Sequence, residues 1–187
     1  MKIFETASPG NTPIALQLAF EKARELKTDV VLSTTTGASA FAAINAAAGF
    51  NHLSHHKLIV ITHAWGTKNI GENHLSDDGR KKLEDAGAIL VTAAHTLSGV
   101  ERAMSGKFGG VYPCEIIAHT LRMFCQGMKV CVEIGAMAFD AGALREIRPV
   151  VALGGTGRGL DTACVLTPGY SAKIFDTRVH EVLCKPR

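Results

Sequence analysis

Val30-Val31-Leu32-Ser33-Thr34-Thr35-Thr36-Gly37-Ala38-Ser39-Ala40 reads as an apolar strand, a hydroxyl-rich glycine turn and the start of an alanine-rich helix. A strand that feeds a helix through so short a turn is the first half of a βα unit, and it predicts a parallel sheet. The turn also has the composition of an anion site. The first amides of a helix lack intrahelical partners and sit at the positive end of its dipole, so a phosphate placed there collects N–H bonds in a favourable field. Ser33, Thr34, Thr35, Thr36 and Ser39 add short hydroxyl donors that lose little rotamer freedom on binding. Gly37 lets the backbone come close. No lysine follows Gly37, so the pattern is not a P-loop. A single Ser or Thr here would be an ordinary helix cap; a run of them exceeds what capping requires.

The flanking segments continue the alternation. Lys2-Ile3-Phe4 is a short strand, and Thr12-Pro13 supplies a cap and first-turn proline for a helix whose apolar face is Ile14, Leu16, Leu18, Ala19, Ala23 and Leu26. The pattern then predicts a strand from Asp29 to Leu32, a helix from Ala38 to Ala48 and a strand from Leu58 to Thr62. A polar-faced helix from Ser76 to Ala86, closed by Gly87, precedes a strand from Ala88 to Thr92. After a glycine-punctuated connection come a helix from Pro113 carrying Ile116, Ile117, Leu121, Met123 and Phe124, and a strand from Lys129 to Ile134. Val150 to Leu153, Thr162 to Leu166 and Val179 to Cys184 are short strands, with a brief helical turn at Ala172 to Phe175. The expectation is a single α/β domain over residues 1–187. It is a three-layer arrangement with a mainly parallel sheet flanked by helices, and a mixed or antiparallel extension at the C-terminal end.

Composition agrees and excludes several classes. Of the 187 residues 47% are apolar and only 6% aromatic, which suits small-residue helices packed on a sheet. The longest apolar stretch, Ala38 to Phe50, is too short to span a bilayer, and Met1 to Glu5 lacks the shape of a signal peptide, so no membrane partner and a cytoplasmic location are expected. The net charge of +3 is scattered, with no basic stripe, and nucleic acid is not indicated. The five cysteines form no CxxC pair and read as reduced, mostly buried thiols. Self-association into a homo-oligomer is left open.

In an open parallel sheet, ligands bind beyond the carboxyl ends of the strands. The loops expected there are Ser33 to Ser39, Thr62 to Gly66, Ala93 to Thr96, Gly135 to Asp140 and Gly154 to Asp161. The last resembles a dinucleotide fingerprint, but it opens a strand that stops at Pro168, so it is a turn between strands. Its glycine amides, Thr156 and Arg158 can meet an anion or a polar ring edge, with Asp161 an acceptor or a partner for Arg158. His63 is the best candidate for proton transfer, and Trp65 fits a stacking role, a buried anchor or an oligomer contact equally well. Glu133, near the end of its expected strand, is read as a partner for loop amides. His52, His55 and His56 are read as solvated surface with no metal. No catalytic nucleophile stands out.

Several segments together resemble the C-terminal α/β domain of pyruvate kinase, and over nearly the whole chain a family of small stand-alone proteins with that domain's fold. They are Pro9-Gly10-Asn11-Thr12, Ser33 to Ser39, Thr62-His63, Val132-Glu133-Ile134-Gly135-Ala136-Met137, Gly154 to Ala163 and Cys184-Lys185-Pro186-Arg187. The resemblance implies bound flavin mononucleotide (FMN), its phosphate on Ser33, Thr34, Thr35, Thr36, Gly37, Ala38 and Ser39. Its ring would lie near Thr62, His63, Gly135, Ala136, Met137, Gly155, Thr156, Gly157, Arg158, Asp161 and Thr162. The chain has no counterpart of the kinase's barrel domain, so kinase activity is not expected. Ala38 stands where the kinase loop often has a basic residue, which argues against a sugar bisphosphate. The expected roles are a flavin-dependent oxidoreductase, a sensor or regulatory module for a phosphorylated metabolite, or a subunit serving mainly as an interface.

Overall fold

The computed structural model describes residues Met1–Arg187 and is built on one seven-stranded sheet. Its strands are β1 (Lys2–Phe4), β2 (Val30–Ser33), β3 (Leu58–Thr62), β4 (Ile89–Thr92), β5 (Val150–Gly154), β6 (Thr162–Thr167) and β7 (Arg178–Pro186). They lie in the order β1-β7-β6-β5-β2-β3-β4. β2 pairs in parallel with both β3 and β5, β3 with β4, and β1 with β7; β6 alone runs against its neighbours β5 and β7. The C-terminal quarter thus folds back into the sheet as the expected mixed extension. β2, β3 and β5 are near-continuous apolar runs because both of their faces are covered.

The helices are α1 (Thr12–Leu26), α2 (Ala38–Gly49), α3 (Asp77–Asp85), α4 (Gly99–Phe108), α5 (Pro113–Arg122) and α6 (Gln126–Asp140). On one face of the sheet, Ala15, Leu16, Ala19, Phe20 and Ala23 of α1 and Ala40, Ala43 and Ala47 of α2 pack on Val30, Leu32, Val60 and Leu153. The stripe on α1 repeats at helical spacing, and the alanines let the helices come close to the strands. On the other face, Met128, Cys131, Val132 and Ile134 of α6 cover Val31, Ile59, Ile61, Ala152 and Cys164. Val30 and Val31 therefore serve opposite cores, as the period of two in a strand requires.

Two expectations need correction. Lys129 to Ile134 is not a strand but part of α6, and Gly135 to Asp140 is the rest of that helix rather than a loop. An apolar run of this length fits either element. Here Met128, Cys131, Val132, Gly135 and Phe139 repeat at helical spacing toward the sheet, and the flanks of β5 are already taken by β6 and β2. Thr12 is not the cap of α1, a place held by Asn11; the Thr12 hydroxyl instead accepts the Leu160 N–H at 2.9 Å. α4, unanticipated within the long connection, buries none of its side chains. Ser76, expected as the first residue of a helix, is instead the cap of α3 through the Gly79 N–H, and a 3-10 helix occupies Ser171–Asp176.

Candidate functional site

The carboxyl ends of β2, β3, β4 and β5 share one edge of the sheet, and antiparallel β6 enters there at Thr162. From β2 the chain passes through α2 to β3 on one side, and later returns as β5 on the other. That reversal makes the β2/β5 boundary a topological switch point, the place where an open sheet leaves a crevice. The Ser33–Ser39 turn begins at it.

The turn is built to keep its donors free. The Thr34 N–H bonds the Ile61 carbonyl at 2.9 Å, tying the turn to β3, and the Thr34 hydroxyl oxygen accepts the Gly37 N–H at 3.1 Å. Thr34 is 6% exposed, so it shapes the turn from inside. Gly37 sits at φ 95°, and a Cβ there would lie 2.8 Å from Leu75 Cδ1 and 3.1 Å from a ring carbon of Phe41. Only glycine fits this position. The first helical bond of α2 is Phe41 N–H to the Gly37 carbonyl at 2.9 Å. The N–H groups of Thr35, Thr36, Ala38, Ser39 and Ala40 have no protein partner, and neither do the hydroxyls of Ser33, Thr35, Thr36 and Ser39. No acidic side chain lies in the first turn of α2 to oppose an anion.

Beside the turn, β5 and β6 are joined by a tight hairpin. The Asp161 N–H returns to the Gly154 carbonyl at 3.1 Å, and a Cβ on Gly155 would stand 2.0 Å from the Gly159 carbonyl oxygen. Thr156, Gly157 and Arg158 form its exposed tip. Asp161 is 1% exposed; its Oδ1 accepts the Thr162 hydroxyl at 2.8 Å, while Oδ2 has no partner. Asp161 makes no ion pair with Arg158. Thr162 is buried and also contacts Cys125 Sγ at 3.3 Å, at the start of α6.

The β3 and β4 ends carry a charge cluster of which the sequence revealed only part. The Thr62 hydroxyl is shared with that of Thr92 at 2.6 Å, so it serves the strand ends rather than the edge. His63 lies half-buried between two other imidazoles. Its ring is 5.0 Å from that of His95, stacked at 29°, and 5.6 Å from that of His74, while its Nδ1 is buried without a partner. Burial, reinforced by His95 and His74, holds the His63 imidazole below its ordinary pKa. Glu133 on α6 accepts the Leu97 N–H at 2.9 Å through Oε1; its Oε2 meets Lys129 Nζ and lies 3.6 Å from His95 Nδ1. Burial alone would push this carboxyl up, but His95, Lys129 and the Leu97 amide outweigh it and hold the group at about 2. Burial likewise lowers Lys129, with Glu133 partly compensating. The reading of Glu133 as a partner for loop amides describes the Leu97 bond, although the side chain projects from a helix.

Other expected residues fall elsewhere. Gly135, Ala136 and Met137 are buried within α6, where a Cβ on Gly135 would lie 3.1 Å from Pro168 Cβ and 3.2 Å from Leu166 Cδ1. Those neighbours end β6 at the opposite edge, so the three residues are not brought to the constellation. His52 is not surface either: it is buried under Phe20 and its Nε2 is 3.1 Å from the Lys57 carbonyl, so it does not converge with His55 and His56 on a common centre. Trp65 is 52% exposed with the Arg80 guanidinium over its ring at 5.6 Å, and Arg80 Nε and Nη2 are buried without partners. All five cysteines are free thiols. No helix is long and apolar enough to cross a membrane. No protein-family model matches the chain.

Proposed function

We propose that this protein binds FMN at the carboxyl edge of its parallel strands, with the phosphate on the Ser33–Ser39 turn. The observation that carries this reading is the set of unpartnered amides and hydroxyls in that turn, beside the switch point of the sheet. Two further features fit a flat ring with a polar rim. Asp161 Oδ2 is a buried acceptor without a protein partner at the start of β6, and Trp65 is half-exposed with the Arg80 guanidinium over its ring. The phosphate would be held by Thr35, Thr36, Ala38, Ser39 and Ala40 through their amides, and by the hydroxyls of Ser33, Thr35, Thr36 and Ser39. Gly155 to Thr162 and His63 would border the ring. Bound flavin supplies hydride and single-electron chemistry. The chain's own residues position the ligand, with the neutral His63 imidazole beside it as a hydrogen-bonding group.

Optical titration of the protein with FMN and with riboflavin tests the reading. FMN is expected to bind about a hundredfold more tightly or better, because several charge-assisted bonds depend on the phosphate. Thr36→Val combined with Ser39→Ala removes two hydroxyl donors and is expected to erase most of that advantage. Equal affinity for the two flavins would overturn the assignment. Arg158→Ala is expected to weaken FMN less than the double variant, since Arg158 stands on the exposed hairpin tip.

A further inference from the structure

The charge cluster around Glu133 has an organisation that ligand binding does not require. Glu133 and Lys129 are 2% and 5% exposed, and the carboxylate is fixed from two sides by the Leu97 amide and the Lys129 ammonium. A buried carboxylate held in this way is a fixed anion. His95 presents Nδ1 to it at 3.6 Å, and the His95 side chain is 33% exposed, with no hydrogen-bond partner at Nε2. One ring nitrogen therefore faces a permanent negative charge, and the other has no protein partner on a partly exposed ring.

We propose that His95 is a general base, with Glu133 its positioning residue and Lys129 the clamp that keeps Glu133 ionised and in place. In the neutral ring, Glu133 favours the tautomer with hydrogen on Nδ1, which leaves the Nε2 lone pair free. A small molecule X–H with a weakly acidic N–H, O–H or C–H gives its proton to Nε2, and the bonding pair stays on X. The imidazolium so formed lies against the Glu133 carboxylate. Arg102 of α4 and Arg122 of α5 act on the same cluster and add positive charge around it. Return of the proton from Nε2 completes the cycle. The groups facing His95 and Glu133 are His63 and His74 from the segment after β3, Arg102 from α4, Cys114 and Arg122 from α5, and Lys129 from α6. His63 stays neutral beside His95, because two stacked imidazoles resist carrying two protons. His95 has this role with or without bound flavin.

Nitrogen-15 NMR of the ligand-free protein tests it without any substitution. The neutral His95 ring is expected to carry hydrogen on Nδ1, with Nε2 bare; the opposite tautomer would overturn the proposal. In Glu133→Gln, which keeps an acceptor for Leu97, the preference of the neutral His95 ring for hydrogen on Nδ1 is expected to weaken, and an unchanged preference would remove Glu133 as its positioning residue. Peptide-resolved carbethoxylation with diethyl pyrocarbonate gives a second readout. Wild-type His95 is expected to react at Nε2 several-fold faster than His52, and slower reaction than His52 would contradict an open lone pair. Lys129→Met with wild-type Glu133 is expected to raise the Glu133 midpoint, and no change there would remove the clamp from the account.

Discussion

Gly37 concentrates the local physics of the phosphate turn in one residue. Its backbone is left-handed, and the space where a Cβ would stand is filled by Leu75 and Phe41. Gly37→Ala is expected to destabilise the fold by about 1–3 kcal/mol, read from the urea unfolding midpoint, and to weaken anion binding with it. Glu133 is the second such position. Glu133→Ala leaves the Lys129 ammonium buried without its partner, and a loss of about 3–5 kcal/mol is expected. The pH dependence follows from the same groups. Glu133 titrates at about 2 in the fold, well below its free value, so its stabilising contribution is present above the unfolded pKa and is lost as pH falls toward 2. His52 and His63 have folded pKa values below the ordinary one. The unfolded chain therefore binds protons near pH 6.5 that the folded chain does not, and stability falls as pH drops through that region. Denaturant melts between pH 4 and 7 should show stability rising with pH; a flat profile would contradict these assignments.

At the scale of elements, the hairpin between β5 and β6 is the piece most sensitive to a single methyl group. Gly155→Ala would put a Cβ 2.0 Å from the Gly159 carbonyl oxygen, so the turn must open. The expected result is a thermal midpoint lowered by several degrees together with weaker ring binding, whereas Gly157→Ala, with open space around it, should cost less. Elements are also where sequence and structure part. The Ser33–Ser39 turn was legible because a βα turn is local: strand, hydroxyls, glycine and helix follow one another in the chain. α6 is not legible in this way, because Val130, Cys131, Val132 and Ile134 satisfy a strand pattern as well as a helix. One signal pointed the other way. Lys129 and Glu133 are polar residues four apart inside an apolar run, a spacing that makes a pair on a helix and opposite ends of the same face on a strand. That pair marks Glu133 as helical, whereas only the tertiary fold brings His95 to α6.

For the whole molecule, chain order decides where chemistry gathers. β2 lies between strands reached by opposite turns of the chain, and the starts of α2 and α6, the β5–β6 hairpin and the His63–His95 stack all border the same edge. The α/β class, the parallel centre and the antiparallel return could be read from strand spacing and apolar runs. The charge network could not, because its members come from positions 63, 74, 95, 129 and 133 and meet only through packing. The central claim is that the turn after β2 holds a phosphate by its amides, and amide NMR during titration with FMN tests it most directly. The account predicts that the N–H signals of Thr35, Thr36, Ala38, Ser39 and Ala40 move downfield together and more than any others, with inorganic phosphate moving the same signals at higher concentration. Signals that stay in place while flavin binds elsewhere would contradict it.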